Sequence, residues 1–193
     1  MKGRPREFDR EEALEQAMDL FWSQGYEATG VADLCDRMGL GRQSLYNTYG
    51  DKESLFAEAL EHYERVQLQP LVDVLEGPGS GVENVRRVLD MWERRGSEHG
   101  AQGCMMANSI AEFGMRAPRF SKQLTRMLGR IEKAFQTALE RAAADGELPE
   151  GRDPHALARL FTTIGQGLST VGKLDASGVM ARDSTALARA LLA

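Results

Sequence analysis

An all-α fold of about nine helices, with no strands, follows from three features of the order of residues. Apolar residues recur at steps of three and four through most of the chain. β-branched and polar residues nowhere alternate over a strand's length, and glycine and proline fall at helix-length intervals rather than at the shorter ones of hairpins.

The composition permits this fold and removes several alternatives. The 193 residues suffice for one globular body or for a small domain fused to a larger one, and 42% hydrophobic with 27% charged residues is ordinary for a chain that buries a core. Disordered and fibrous classes are excluded on that balance. No apolar run reaches the roughly 18 residues of a membrane span, and the opening MKGRPREFDREEAL has charge with no apolar stretch behind it, so neither a membrane partner nor a signal peptide is expected and the compartment is cytoplasmic. Cys35 and Cys104, the two cysteines, are too few for a disulfide framework or a zinc module; reduced thiols, no metal and no cofactor are expected. A net charge of −5 argues against indiscriminate coating of nucleic acid, although Lys2, Arg4, Arg6 and Arg10 outnumber Glu7 and Asp9 in a short basic arm.

Each helix has its own signals. Asp9 caps the first, with Glu12 at capping-box spacing; Ala13, Leu14, Ala17, Met18 and Phe21 form its inner stripe and Gly25 ends it. Thr29 or Gly30 caps a short second helix bearing Val31, Leu34, Cys35 and Met38, which Gly39 stops. A third runs from Arg42 to about Tyr49 with Leu45 and Tyr49 inward. Asp51 opens a longer one, Lys52 to about Glu76, which Pro70 should kink or interrupt. After the breaker Gly77-Pro78-Gly79, Ser80 and Glu83 start a helix through Trp92, and Gly96 to Gly103 is a loop. A short helix from Cys104 to about Met115 precedes a long one from Pro118 to Asp145-Gly146. Asp153-Pro154 opens the next, and a last one spans about Ser184 to Leu192.

Two short helices joined by a glycine turn, the second with an exposed polar face, have the form of a helix-turn-helix, whose second helix enters the DNA major groove. With Leu45 and Tyr49 inward, Arg42, Gln43, Tyr46 and Asn47 face away. Arginine suits guanine, glutamine and asparagine suit adenine, and a tyrosine hydroxyl suits phosphate. The run from Thr29 to Leu55, with the entry Gly25 to Thr29, the core Leu45 to Tyr49 and the opening Lys52 to Leu55, closely resembles the amino-terminal domain of the TetR family of transcriptional regulators, over about Phe8 to Tyr63. Gly41 departs from the pattern, standing where the family usually has a capping serine. The resemblance adds Ser44 and Thr48 to the DNA-facing set and gives Lys52 a phosphate contact. It implies a DNA-binding domain over 1–50, a connector helix over 51–76 and a ligand-binding and dimerisation domain over 77–193. It further implies a ligand-responsive regulator, a repressor, that binds pseudo-palindromic double-stranded operator DNA as a homodimer and is released by a small apolar or electrophilic effector. The rival is a small-molecule-binding or catalytic helical protein with no DNA-binding role.

Beyond about Gly77 the chemistry must be read locally. His62, His99 and His155 are far apart and no nucleophile-histidine-acid grouping appears, so an enzyme is not expected. Trp92, Met105, Phe113 and Phe135 belong to a concentration of flexible and aromatic side chains that forms either an adaptable cavity or plain core. Asn108 and Glu112, one turn apart on an otherwise apolar helix, need partners, from a ligand or from Arg86, Arg94 or Arg130. Cys104, at the amino end of its helix, either lines that cavity or senses electrophiles, as the corresponding helix does in some regulators it resembles. Small residues Ala158, Thr162, Gly165, Ser169 and Gly172 follow at helical steps; Thr162, Gly165 and Ser169 are assigned to the dimer interface, the alternative being packing against the long helix of the same chain.

Overall fold

The computed structural model describes residues 9–98 and 102–193, so the basic arm at Lys2, Arg4 and Arg6 and the histidine at 99 lie outside the described residues. The described residues contain ten α-helices: α1 (Arg10–Gln24), α2 (Val31–Met38), α3 (Arg42–Tyr49), α4 (Lys52–Tyr63), α5 (Gln69–Glu76), α6 (Gly81–Glu98), α7 (Met105–Phe113), α8 (Pro118–Ala144), α9 (Pro154–Val171) and α10 (Val179–Ala190). A π-helical turn, Glu64–Leu68, lies between α4 and α5 in the chain. Pro70 lacks an N–H and its ring clashes with the carbonyl four residues back in a regular α-helix; the α-helix is interrupted just before it, as expected, by the wider π turn, which relieves that clash.

Three boundaries differ from expectation. α6 continues through 96–98, where a loop is expected. Cys104 is the cap of α7, not its first residue. α10 begins at Val179, five residues early, because Gly178 at φ +66° caps it from the left-handed region and Asp175 accepts the Met180 N–H at 2.8 Å.

The chain divides into two compact units between Tyr63 and Glu64. In the first, Leu14, Met18 and Phe21 of α1, Leu34 and Met38 of α2, Leu45 and Tyr49 of α3 and Leu55, Phe56 and Leu60 of α4 make the core. Asp9 accepts the N–H groups of Glu11 and Glu12 at the head of α1. Gly30, not Thr29, caps α2: Asp33 takes the Gly30 N–H at 3.0 Å, and the Thr29 hydroxyl donates instead to the Gly25 carbonyl. Gly39 turns the chain from α2 toward α3 at φ +64°, which a side chain would strain.

In the second unit, α6, α8 and α9 surround Val85, Leu89, Met127, Ile131, Phe135, Leu157 and Phe161. α6 and α8 meet closely at Gly81, where an added Cβ would lie 2.1 Å from the Ala138 carbonyl oxygen. The Ser80 hydroxyl accepts the Glu83 N–H as expected, and Glu147 accepts from the Ser80 hydroxyl and the Val82 N–H. Glu64, a residue 5% exposed, accepts with its carboxylate from Arg126 at 2.9 Å and Arg130 at 3.1 Å, both on α8.

Candidate functional site

The recognition surface is built by what α3 hides. Leu45 is wholly buried and Tyr49 is 3% exposed; the Tyr49 hydroxyl donates to the Arg10 carbonyl at 3.0 Å, and the Arg10 guanidinium sits 5.1 Å from the ring centre. These two anchors fix the rotation of the helix. Burial raises the Tyr49 pKa above its ordinary value, so this hydroxyl keeps its proton and remains a donor.

Rotation so set, Arg42, Gln43, Ser44, Tyr46 and Asn47 are exposed together and Thr48 is half-buried at their edge. Gln43 Nε2 donates to Asn47 Oδ1 at 2.9 Å, joining two of these side chains. Lys52, half-buried at the first turn of α4, holds its Nζ 4.2 Å above the Tyr26 ring, and Tyr26 in turn packs 5.0 Å from Phe56. Tyr26 lies outside the expected site residues. Its signal was the aromatic in the Gly25 to Thr29 entry, but helical periodicity says nothing about which distant cation covers a ring.

In the second unit the expected effector residues have the following neighbours. Trp92, half-buried, stands 5.7 Å from the wholly buried Phe135, which stands 5.8 Å from Phe161. Phe113 pairs with Phe120 at 4.8 Å. Cys104 and Met105 are buried, and neither cysteine is in a disulfide. Gly103 crosses α9 so closely that a Cβ there would be 2.5 Å from the Ser169 carbonyl oxygen. Asn108 finds its partners in the Lys173 ammonium, at 2.5 Å, and the Gln102 carbonyl. Arg130 serves Glu64 and Gln69 rather than Asn108. Glu112 is half-buried, and its backbone carbonyl accepts from Arg116. An open cleft of about 390 Å³ lies among Asp90, Glu93, Arg94, Gly178 and Arg182; Arg94, expected as a partner for Asn108 or Glu112, lines it, and none of the expected effector residues does.

The small-residue row of α9, which holds the expected dimer residues, packs against its own chain. Thr162 and Gly165 are buried, and a Cβ at Gly165 would lie 2.6 Å from Cζ2 of Trp92 on α6; Ser169 is half-buried where Gly103 crosses. At Gly165 the nearest same-chain neighbour is the α6 tryptophan. The opposite side of α9 is apolar and open. Among the described residues nine large apolar side chains are exposed, and six of them, Leu160, Val171, Leu174, Val179, Met180 and Leu187, belong to α9, α10 and the turn between them. Leu160, Ile164, Gly167, Val171 and Leu174 follow steps of four, three, four and three, a signal as legible as the small row.

A short helix set on two buried anchors, with a polar outer face following a glycine turn, defines a helix-turn-helix DNA-binding regulator. Residues 13–59 match the family model described as bacterial regulatory proteins, tetR family, and residues 81–191 that of the tetracyclin repressor-like C-terminal domain. The chain belongs to the TetR family of transcriptional regulators. It is 35% identical to the HTH-type transcriptional regulator YezE of Bacillus subtilis (strain 168) over 90% of this chain and 91% of the relative. It is 29% identical to the HTH-type transcriptional repressor ComR of Escherichia coli (strain K12), over 91% and 85%. The solved structure of the regulator CifR, a cysteine-substituted variant complexed with 26-bp operator DNA, matches with a TM-score of 0.87 at 31% identity, covering 99% of this chain and 100% of that one. These matches do not favour the rival helical protein without a DNA-binding role. Among the described residues no helix is long and apolar enough to cross a membrane.

Proposed function

We propose that this regulator represses transcription in the cytoplasm by binding a short pseudo-palindromic operator as a homodimer, and that a small apolar or electrophilic molecule releases it. The observation that carries the reading is the outer face of α3, where Arg42, Gln43, Ser44, Tyr46 and Asn47 stand clear of the core that Leu45 and Tyr49 enter. In a dimer two such helices read successive major grooves about 34–36 Å apart. An effector that binds better to a dimer with another spacing shifts the population away from DNA, and the helical run 52–76 is the covalent route for that shift. The exposed stripe of Leu160, Val171, Leu174, Met180 and Leu187 supplies the apolar face that a second copy would cover. Repressor names among the relatives, and the operator complex of CifR, support the reading.

Selection of bound duplexes from a random pool tests it. Arg42→Ala and Gln43→Ala should relax preference at individual base pairs, at about 1–3 kcal/mol for a good bidentate contact, while Lys52→Ala should weaken binding to every sequence. Unchanged operator binding in all three removes α3 as the reader. For the effector, operator release by a quinone should be lost in Cys104→Ser; equal response in both proteins would leave Cys104 a packing residue.

A further inference from the structure

Helical periodicity places Gln43 and Asn47 on one face, but only the structure joins them, Gln43 Nε2 donating to Asn47 Oδ1 at 2.9 Å. Both are exposed, opposite Leu45 and Tyr49. An exposed amide pair one turn apart adds little to helix stability. Its consequence lies in what it leaves pointing outward.

A carboxamide carries its oxygen and one N–H along one edge and a second N–H on the far side. Adenine presents the N7 acceptor and the N6 amino donor in the major groove, which the first edge matches bidentately. Resting on the operator-binding reading above, we propose that Asn47 is a positioning residue for Gln43: it takes the far N–H, and the edge with Oε1 and the remaining N–H is held ready for the adenine of an A·T pair. The same bond takes one of the two lone pairs of the Asn47 oxygen and ties that side chain to Gln43. The two amides therefore act as a unit at the A·T pair that Gln43 reads in each half-site.

The arrangement also accounts for how a long exposed glutamine reads a base selectively. Free glutamine samples three torsions, and immobilising such a side chain on binding carries an entropic cost that a preformed hydrogen bond reduces. Loss of Asn47 should therefore be felt at the base pair that Gln43 touches.

The test uses the full chain as wild type, Gln43→Ala, Asn47→Ala, the double variant and Asn47→Asp. Each is measured against the selected operator with A·T or G·C at every half-site position. At one A·T position Gln43→Ala should cut the preference about tenfold or more. Asn47→Ala should cut it at the same position by about threefold to tenfold. The double variant should be no worse there than Gln43→Ala alone. Asn47→Asp, which keeps an acceptor oxygen, should keep the preference while lowering affinity for all sequences by repulsion from phosphate. Preference that survives Asn47→Ala at that position, or losses that multiply in the double variant, would overturn the proposal and make the two residues independent readers. A wild-type protein that selects no site overturns the operator-binding reading itself, a different result from a recovered site with independent positions.

Discussion

Two exposed helical faces of this regulator have opposite chemistry. α3 turns Arg42, Gln43, Ser44, Tyr46 and Asn47 outward, whereas α9 and α10 turn out Leu160, Val171, Met180 and Leu187. A polar face can be hydrated alone, so α3 needs only eight residues and two buried anchors to present it. An apolar face of that extent stays in water only at a cost, and in a stable protein it is a face to be covered. The first face is thus suited to a charged, hydrated partner and the second to another protein surface.

The interiors differ too. The second unit holds a buried carboxylate, Glu64, clamped by two arginines of α8. Removing both partners in Arg126→Ala/Arg130→Ala leaves that carboxylate without its cations and should cost about 1–3 kcal/mol in urea unfolding, because both guanidiniums are about half in water, while Glu64→Met, which removes the charge, should be milder. A double variant as stable as wild type would show the clamp to be a surface ornament.

The α9 faces can be told apart by one pair of variants. Gly165→Leu forces a side chain into Trp92 and should lower stability by about 1–3 kcal/mol while leaving the dimer assembled. Leu187→Glu, at a side chain 73% exposed, should leave the fold intact and yield monomers in sedimentation. The reverse pattern would restore the small row to the two-fold axis.

On the DNA side, Lys52→Ala should reduce the salt dependence of operator affinity by about one unit of slope. Tyr26→Leu, which removes the ring under the ammonium, should weaken binding by about 0.5–1 kcal/mol, and Tyr26→Phe should restore it because the ring face is kept. Equal affinity for all three side chains at position 26 would mean that the ring does not position the lysine.

The smallest effect concerns Glu147. Its hydrogen bonds from the Val82 N–H and the Ser80 hydroxyl hold its carboxyl below the ordinary 4.5. A depressed folded pKa gives stability that is present above the unfolded value and lost as pH falls through the folded one. Wild type should therefore lose its small thermal advantage over Glu147→Gln as pH drops below about 4.5; parallel melting curves down to that range would show the cap to be neutral.

The sequence by itself determined the helices of the first unit and the inward or outward sense of α3, because a short helix with two large apolar residues one turn apart has a single way to bury them. The caps at Asp9 and Asp153 and the breaks at Gly39 and Gly77 were equally legible, since each acts on its own neighbours. What only the tertiary structure decided involves groups far apart in the chain. α9 has two faces fit for close packing, and the Trp92 ring at Gly165 chooses between them. The partner of Asn108 is Lys173 rather than an arginine. The ring beneath Lys52 belongs to Tyr26. In each case the local period allows several answers, and the neighbour that selects one is brought there by the packing of another helix or loop.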